Sequence, residues 1–232
     1  MKDGTIGIIG AMDIETDGLK ALITDAREES FGKIKFVSGK LFGRNVVVAK
    51  CGVGKVFASI CAQTMILNYS PAYIINTGIA GGLNKSLGVL DIVVADKVVQ
   101  HDFDISSLGI PLGSIPGIGK AFLECDSEIG DGLCKAASHF GKRVVRGVVA
   151  TGDSFIADSE KNERLQQLFG ADACEMEGGA IGQVCTWNGV PFCIVRTISD
   201  GGNDDSTMDY GKFEALAAEQ SVSVICEFLK SL

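Results

Sequence analysis

Histidine and proline are scarce in this chain: two histidines (His101, His139) and four prolines occur among 232 residues. The eight cysteines include no CxxC pair, so with two possible nitrogen ligands a zinc site is not expected, and no metal is assigned. Basic residues are also in deficit, 21 against 29 acidic ones, for a formal charge of −8, and no basic run interrupts that balance. This argues against nucleic acid or an anionic membrane as a partner. No uninterrupted apolar run reaches the ~18 residues of a membrane span. The first ten residues, with an acid at position 3 and a very short apolar stretch, do not form a signal peptide. Reduced core thiols and the absence of a leader pattern lead to the expectation of a cytoplasmic protein.

Nucleotide and acyl-transfer signatures are missing too. "CGVGKVF" starts a G-x-G-x-x-G pattern but has Phe57 at the third glycine, and Gly54–Lys55 is followed by Val56 rather than a Walker-A hydroxyl. "TGDSFI" lacks the G-x-S-x-G elbow, and neither histidine is paired with an obvious nucleophile. No cofactor is expected, and carboxylate chemistry is what remains.

What is present is a sequence 46% hydrophobic with thirty glycines, enough for one domain spanning 1–232 with a full core. Apolar β-branched runs predict strands at 5–11, two within 34–52 joined at Phe42–Gly43–Arg44, and others at 72–82, 91–104, 143–153, 171–177 and 191–200. Helical spacing and caps predict helices over 55–69, 127–141, 159–169, 178–189 and about 209–230. Strands that alternate with helices and read as continuous apolar runs imply an α/β sandwich with a mostly parallel sheet. The Gly/Pro-rich stretch 104–126 is long for a connection and reads as a lid or an interface segment.

In open α/β sheets ligands bind beyond the carboxyl ends of the strands. The polar residues at those ends are mostly acids: Asp13, Glu15, Asp153, Glu175, Glu177 and Asp200, with Asn76, Thr77, Ser199 and one arginine, Arg196. Glycosidic cleavage uses such groups, one to protonate the leaving group and another to direct water. Asp200 follows a buried strand and precedes two glycines; it suits a proton donor or a turn cap. Glu15 suits a catalytic acid or a first-turn helix acid. In "ACEMEGGAIG", Glu175 and Glu177 lie among small and apolar residues, where an unpaired carboxylate is costly. They meet either a distant cation or a ligand. On an extended strand their spacing of two would aim both the same way, toward the hydroxyls of a ribose.

Five ordered segments, "GIIGAMDIE", "NTGIAGG", "TGDSFI", "EMEGGAI" and "VRTISD", resemble the signatures of the 5′-methylthioadenosine/S-adenosylhomocysteine nucleosidases, within the nucleoside phosphorylase/hydrolase superfamily. The resemblance implies a three-layer αβα sandwich around a mixed, mostly parallel sheet, and cleavage of an N-glycosidic bond by water to release adenine. It implies Asp200 as the acid at purine N7 with Ser199 beside it, and Glu15 holding the water with Arg196 nearby. It implies Glu177 on the ribose hydroxyls, Met176 against the sugar and Glu175 in support. Phe155 would stack on the adenine while the backbone of Ile156 reads its edge. Met12, Val53 and Tyr210 would line a 5′-alkylthio pocket, completed in a homodimer by Ile105, Leu108 and Pro116 of the partner's 104–126 loop. Ile79 stands where many relatives have a serine, and Tyr210 where a phenylalanine is more usual.

The rival expectations are a purine nucleoside phosphorylase, a sister hydrolase of another 5′-substituted nucleoside such as futalosine or AMP, and a noncatalytic nucleoside-binding protein. Phosphate calls for arginines and backbone N–H groups, whereas Asp13 and Glu15 would repel it. Loss of the acid or of the water-holding glutamate would mark a binding protein, and both are present.

Overall fold

A computed structural model describes residues 4–202 and 205–232. The chain begins with strand β1 (Ile6–Gly10), helix α1 (Asp13–Ala21), strands β2 (Thr24–Phe31), β3 (Ile34–Leu41) and β4 (Arg44–Lys50), and helix α2 (Lys55–Tyr69). It continues through β5 (Tyr73–Gly82), β6 (Ile92–Gln100), β7 (Phe122–Glu124), α3 (Ser127–Ala137), β8 (Val144–Thr151) and α4 (Ser159–Phe169). The last elements are β9 (Ala173–Glu175), α5 (Gly178–Asn188), β10 (Phe192–Asp200) and α6 (Ser206–Ser231).

All ten strands join one mixed sheet in the order β10-β6-β8-β9-β5-β1-β4-β3-β2, with β7 on β6 and a further β10–β5 pairing. The pairings β1–β4, β1–β5, β5–β10, β6–β8 and β8–β9 are parallel. Those of β2–β3, β3–β4, β5–β9, β6–β7 and β6–β10 are antiparallel. Because β10 bonds both β5 and β6, part of the sheet curls back on itself. Helices pack on both sides: α2 and α5 cover one apolar face, and α1, α3 and α6 the other. This is the expected α/β sandwich with a mixed central sheet. β1 and β10 are buried along their whole length, as continuous apolar runs require. Among the described residues no helix is long and apolar enough to cross a membrane.

Several elements differ from expectation, helix α1 among them, since only Glu15 as a first-turn acid had hinted at it. β2, "TDAREESF", was not expected at all: it is almost wholly exposed and owes its extended form to pairing with β3. The 104–126 stretch is not all loop, since it contains a short turn of helix at Ser106–Leu108 and strand β7. The strand expected over 91–104 stops at Gln100. The strand expected over 171–177 holds only Ala173–Glu175, because Glu177 turns away as the N-cap of α5 with φ −133° and ψ −41°.

Candidate active site

The carboxyl ends of β1, β5, β9 and β10 surround a cavity of about 390 Å³, within the range of small-molecule sites. Twelve of the residues singled out in the sequence line it: Met12, Glu15, Val53, Ile79, Phe155, Ile156, Glu175, Met176, Glu177, Ser199, Asp200 and Tyr210. Arg196, Ile105, Leu108 and Pro116 do not. Arg196 lies behind the wall at 1% exposure, whereas Leu108 is 75% exposed on the surface. Ala11, Ala80, Gly81, Ser154, Cys174 and Thr207 also line the cavity; the first four lie within the quoted motifs, but none of the six was given a role from the sequence. The small residues among them carry no chemistry of their own and are set there only by the ends of β1 and β5.

Glu15 is placed by the first turn of α1, directly after β1. Its Oε2 accepts from the backbone N–H groups of Ala11 (2.7 Å) and Met12 (3.0 Å), and its Oε1 from that of Ile79 (3.0 Å). The bond to Met12 is the reach-back half of a capping box, so the helix-cap reading and the site reading are both satisfied. Three N–H donors hold this buried carboxylate still. Asp13, its neighbour, instead points to solvent and pairs with Lys50 at 2.8 Å. Ile79 contributes its backbone N–H to Glu15 and its side chain to the cavity wall.

Asp200 is the last residue of β10 and is 1% exposed. Its Oδ1 accepts from the N–H of Gly202 (2.9 Å) and its Oδ2 from Ser199 Oγ (2.8 Å). A Cβ on Gly81 would lie 3.1 Å from Asp200 Oδ1 and 3.2 Å from Cys174 Sγ, so the glycine leaves the carboxyl face open.

The two glutamates of "ACEMEGG" do different work, which corrects the inference that both face a ligand in the same way. Glu175 ion-pairs with Arg196, accepts from Thr151 Oγ1, and takes the N–H groups of Glu177 (3.0 Å) and Gly178 (2.7 Å) on its Oε2. Its partners are therefore within the protein, as the distant-cation alternative required. Glu177 accepts from the N–H of Gly54 (2.9 Å) and stands 3.6 Å from Arg196 Nη2. Burial, and next the neighbouring Glu175 charge, push its carboxyl up to about 7. Arg196 also donates to Asn76 Oδ1. One guanidinium thus serves Glu175 and Glu177 and lies near Glu15, leaving the wall acidic on balance.

The remaining walls are apolar. Phe155 and Tyr210 meet edge to face, with ring centroids 5.5 Å apart, and Tyr210 Oη lies 3.5 Å from Met12 Sδ. Burial pushes the Tyr210 phenol up to about 12. Among the described residues no cluster of three or more His, Cys, Asp and Glu is placed to hold a metal ion.

Residues 5–230 match the family model described as the phosphorylase superfamily. A relative from Shewanella loihica, a 5′-methylthioadenosine/S-adenosylhomocysteine nucleosidase, is 39% identical over 229 residues, which span 98% of this chain and 99% of the relative. The crystal structure of the Neisseria meningitidis enzyme of that name, in complex with methylthio-immucillin-A, superposes with a TM-score of 0.95 at 33% identity, covering 99% of this chain and 100% of the other. A futalosine hydrolase of Helicobacter pylori superposes with a TM-score of 0.92 at 33% identity, covering 99% of this chain and 98% of its own.

Proposed function

The chain belongs to the phosphorylase superfamily, and from that premise we propose that it hydrolyses the N-glycosidic bond of 5′-methylthioadenosine and S-adenosylhomocysteine, releasing adenine and the 5-thioribose product. One observation carries the reading. Glu15 Oε1 abuts Gly78 and Asp200 Oδ1 abuts Gly81, two points on β5 three residues apart. Both carboxyls line one cavity together with Glu177, so a sugar seated there meets an acid and a water-holding carboxylate, the pair that direct attack by water requires.

In this mechanism Asp200 donates a proton to purine N7, so the base leaves neutral rather than as an anion. Ser199 Oγ and the Gly202 N–H then receive the negative charge left on Asp200. Glu15, held by three N–H donors, orients the water and takes its proton. Glu177 accepts from the ribose hydroxyls, while Glu175 and Arg196 fix its position from behind. The acidic wall favours the positive charge that builds on the sugar in the transition state. Phe155 packs on the adenine and the Ile156 backbone meets its edge. Met12, Val53 and Tyr210 give the 5′-thio substituent an apolar wall with a polarizable sulfur.

Water is favoured over phosphate by the same groups. Among the described residues no Lys or Arg lines the cavity, and the nearest guanidinium is already paired with Glu175. A phosphate dianion would meet carboxylates instead of the donors it needs.

The functional unit in this reading is a homodimer. Val56, Phe57 and Ile60 on α2, with Trp187 on α5, are all at least half exposed, an apolar area a lone molecule would leave in water. Ile105, Leu108 and Pro116 lie outside their own cavity and are free to enter that of a partner. Eight free thiols suit a reducing compartment, the cytoplasm.

The test is adenine release from methylthioadenosine and adenosylhomocysteine, each with and without phosphate. Equal rates in both conditions are expected; strict phosphate dependence with a sugar-1-phosphate product would overturn the hydrolase. The futalosine hydrolase likeness makes futalosine the third substrate, and exclusive turnover of it would move the assignment to that class.

A further inference from the structure

Asn162 stands outside the cavity, on α4, yet this polar helix buries it to 7% exposure. Its Nδ2 lies 3.3 Å from the carbonyl of Gly82, 3.1 Å from that of Gly201 and 3.1 Å from that of Gly202. Carbonyl oxygens only accept, so the amide can face them in one sense alone, NH2 inward. Its Oδ1 accepts from Nε2 of Gln166, one turn later, at 2.5 Å, and the same Gln166 nitrogen reaches the Leu83 carbonyl. Two side-chain amides of α4 therefore bind the end of β5 to the turn that follows β10.

That turn carries the acid's hydrogen bond. Gly202 adopts φ +58°, and a Cβ on it would lie 2.9 Å from Asn162 Nδ2 and 3.0 Å from the Gly82 carbonyl. The backbone is pressed directly against the amide, with no space for a side chain. From this position the Gly202 N–H donates to Asp200 Oδ1 at 2.9 Å.

We propose that Asn162, oriented by Gln166, is a positioning residue for leaving-group protonation: it fixes the Gly201–Gly202 turn, whose N–H sets the orientation of the Asp200 carboxyl. The inference rests on the reading of Asp200 as the proton donor. A misplacement of about 1 Å in a reacting group costs about 100-fold in rate. A purely structural role would lower every activity together. A positioning role is selective, because it harms only substrates whose leaving group has to be protonated.

The experiment compares the intact wild-type enzyme with Asn162→Leu and Gln166→Leu on two substrates. Methylthioadenosine needs a proton on its leaving base; a 4-nitrophenyl riboside expels a stable anion and needs none. Asn162→Leu is expected to lower kcat for adenine release about 100-fold. Nitrophenolate release should change less than about threefold, with KM for both substrates nearly unchanged. Gln166→Leu, which leaves the inner amide in place, should show the same selectivity at smaller amplitude, and it carries the test if Asn162→Leu does not fold. Equal losses on both substrates, or no loss beside an active wild type, overturn this inference alone. A folded wild type that releases no adenine overturns the reading of Asp200 and this inference with it.

Discussion

Replacing Arg196 by methionine removes the one cation that two buried glutamates share. Arg196 is 1% exposed, and it ion-pairs with Glu175 and stands 3.6 Å from Glu177. At an effective dielectric of about 20, a pair at that distance is worth about 5 kcal/mol, an upper scale that desolvation reduces. Removing one member of a buried pair costs about 3–5 kcal/mol, because the charge left behind has no compensation. For a chain of this length each kcal/mol lowers Tm by about 2–4 °C, so Arg196→Met should melt roughly 6–20 °C below wild type at pH 8. The pH dependence has a definite sign. Glu177 is already raised from 4.5 to about 7, so between those values the folded state binds more protons than the unfolded chain. Stability therefore falls as pH rises through that window. Without the arginine the carboxyl rises further and the window widens upward, so the defect should be smaller at pH 5.5 than at pH 8. Thermal unfolding of both proteins at the two pH values measures this. A Tm difference below about 2 °C at pH 8, or one that is the same at both pH values, would refute the shared-cation account.

Three other outcomes follow from the same geometry. Glu177→Gln should weaken kcat/KM for methylthioadenosine by about 10- to 100-fold, the loss of one charged hydrogen-bonding group. Wild-type substrate binding should also strengthen as pH rises through about 7, where Glu177 ionises, and that dependence should vanish in the variant; a persistent pH step assigns the titration elsewhere. Gly78→Ala would drive a Cβ into Arg196 Nη1 and Glu15 Oε1 together, so a lower Tm and a collapse of turnover are expected. An active, unchanged Gly78→Ala enzyme would mean that this corner is loosely packed. Phe57→Glu, on the exposed face of α2, should turn a dimer into a monomer in analytical ultracentrifugation and weaken 5′-thio substrate binding; a monomeric wild type would remove the dimer from the account.

The alternation of strand and helix was legible because buried strands in this sheet are continuous apolar runs, as in "FCIVRTISD", with the chemistry set at their ends. Glu15, Glu175, Glu177, Ser199 and Asp200 could be found on that basis, whereas Met12, Val53, Ile79, Phe155, Ile156, Met176 and Tyr210 came from the family resemblance. β2 could not, since eight mostly polar, exposed residues carry no period, and their strand exists only through β3. The division of labour between Glu175 and Glu177 was also out of reach. It depends on where β9 stops, on Thr151, and on the Gly54 N–H contributed from 123 residues away. Asn162 is the plainest case: on a polar helix it looks like a surface residue, and only the folded chain brings Gly82, Gly201 and Gly202 to its amide.

The central claim is that Asp200 supplies the proton that lets adenine leave. Asp200→Asn keeps the size, its Oδ1 can still accept from the Gly202 N–H while its Nδ2 donates to Ser199 Oγ, but it has no carboxyl proton to give. The measurement is single-turnover adenine release from methylthioadenosine, paired with calorimetric binding of a non-hydrolysable nucleoside analogue. A loss of about 100-fold or more in release with binding retained is the predicted result. Near wild-type release from a correctly folded Asp200→Asn enzyme would contradict the account.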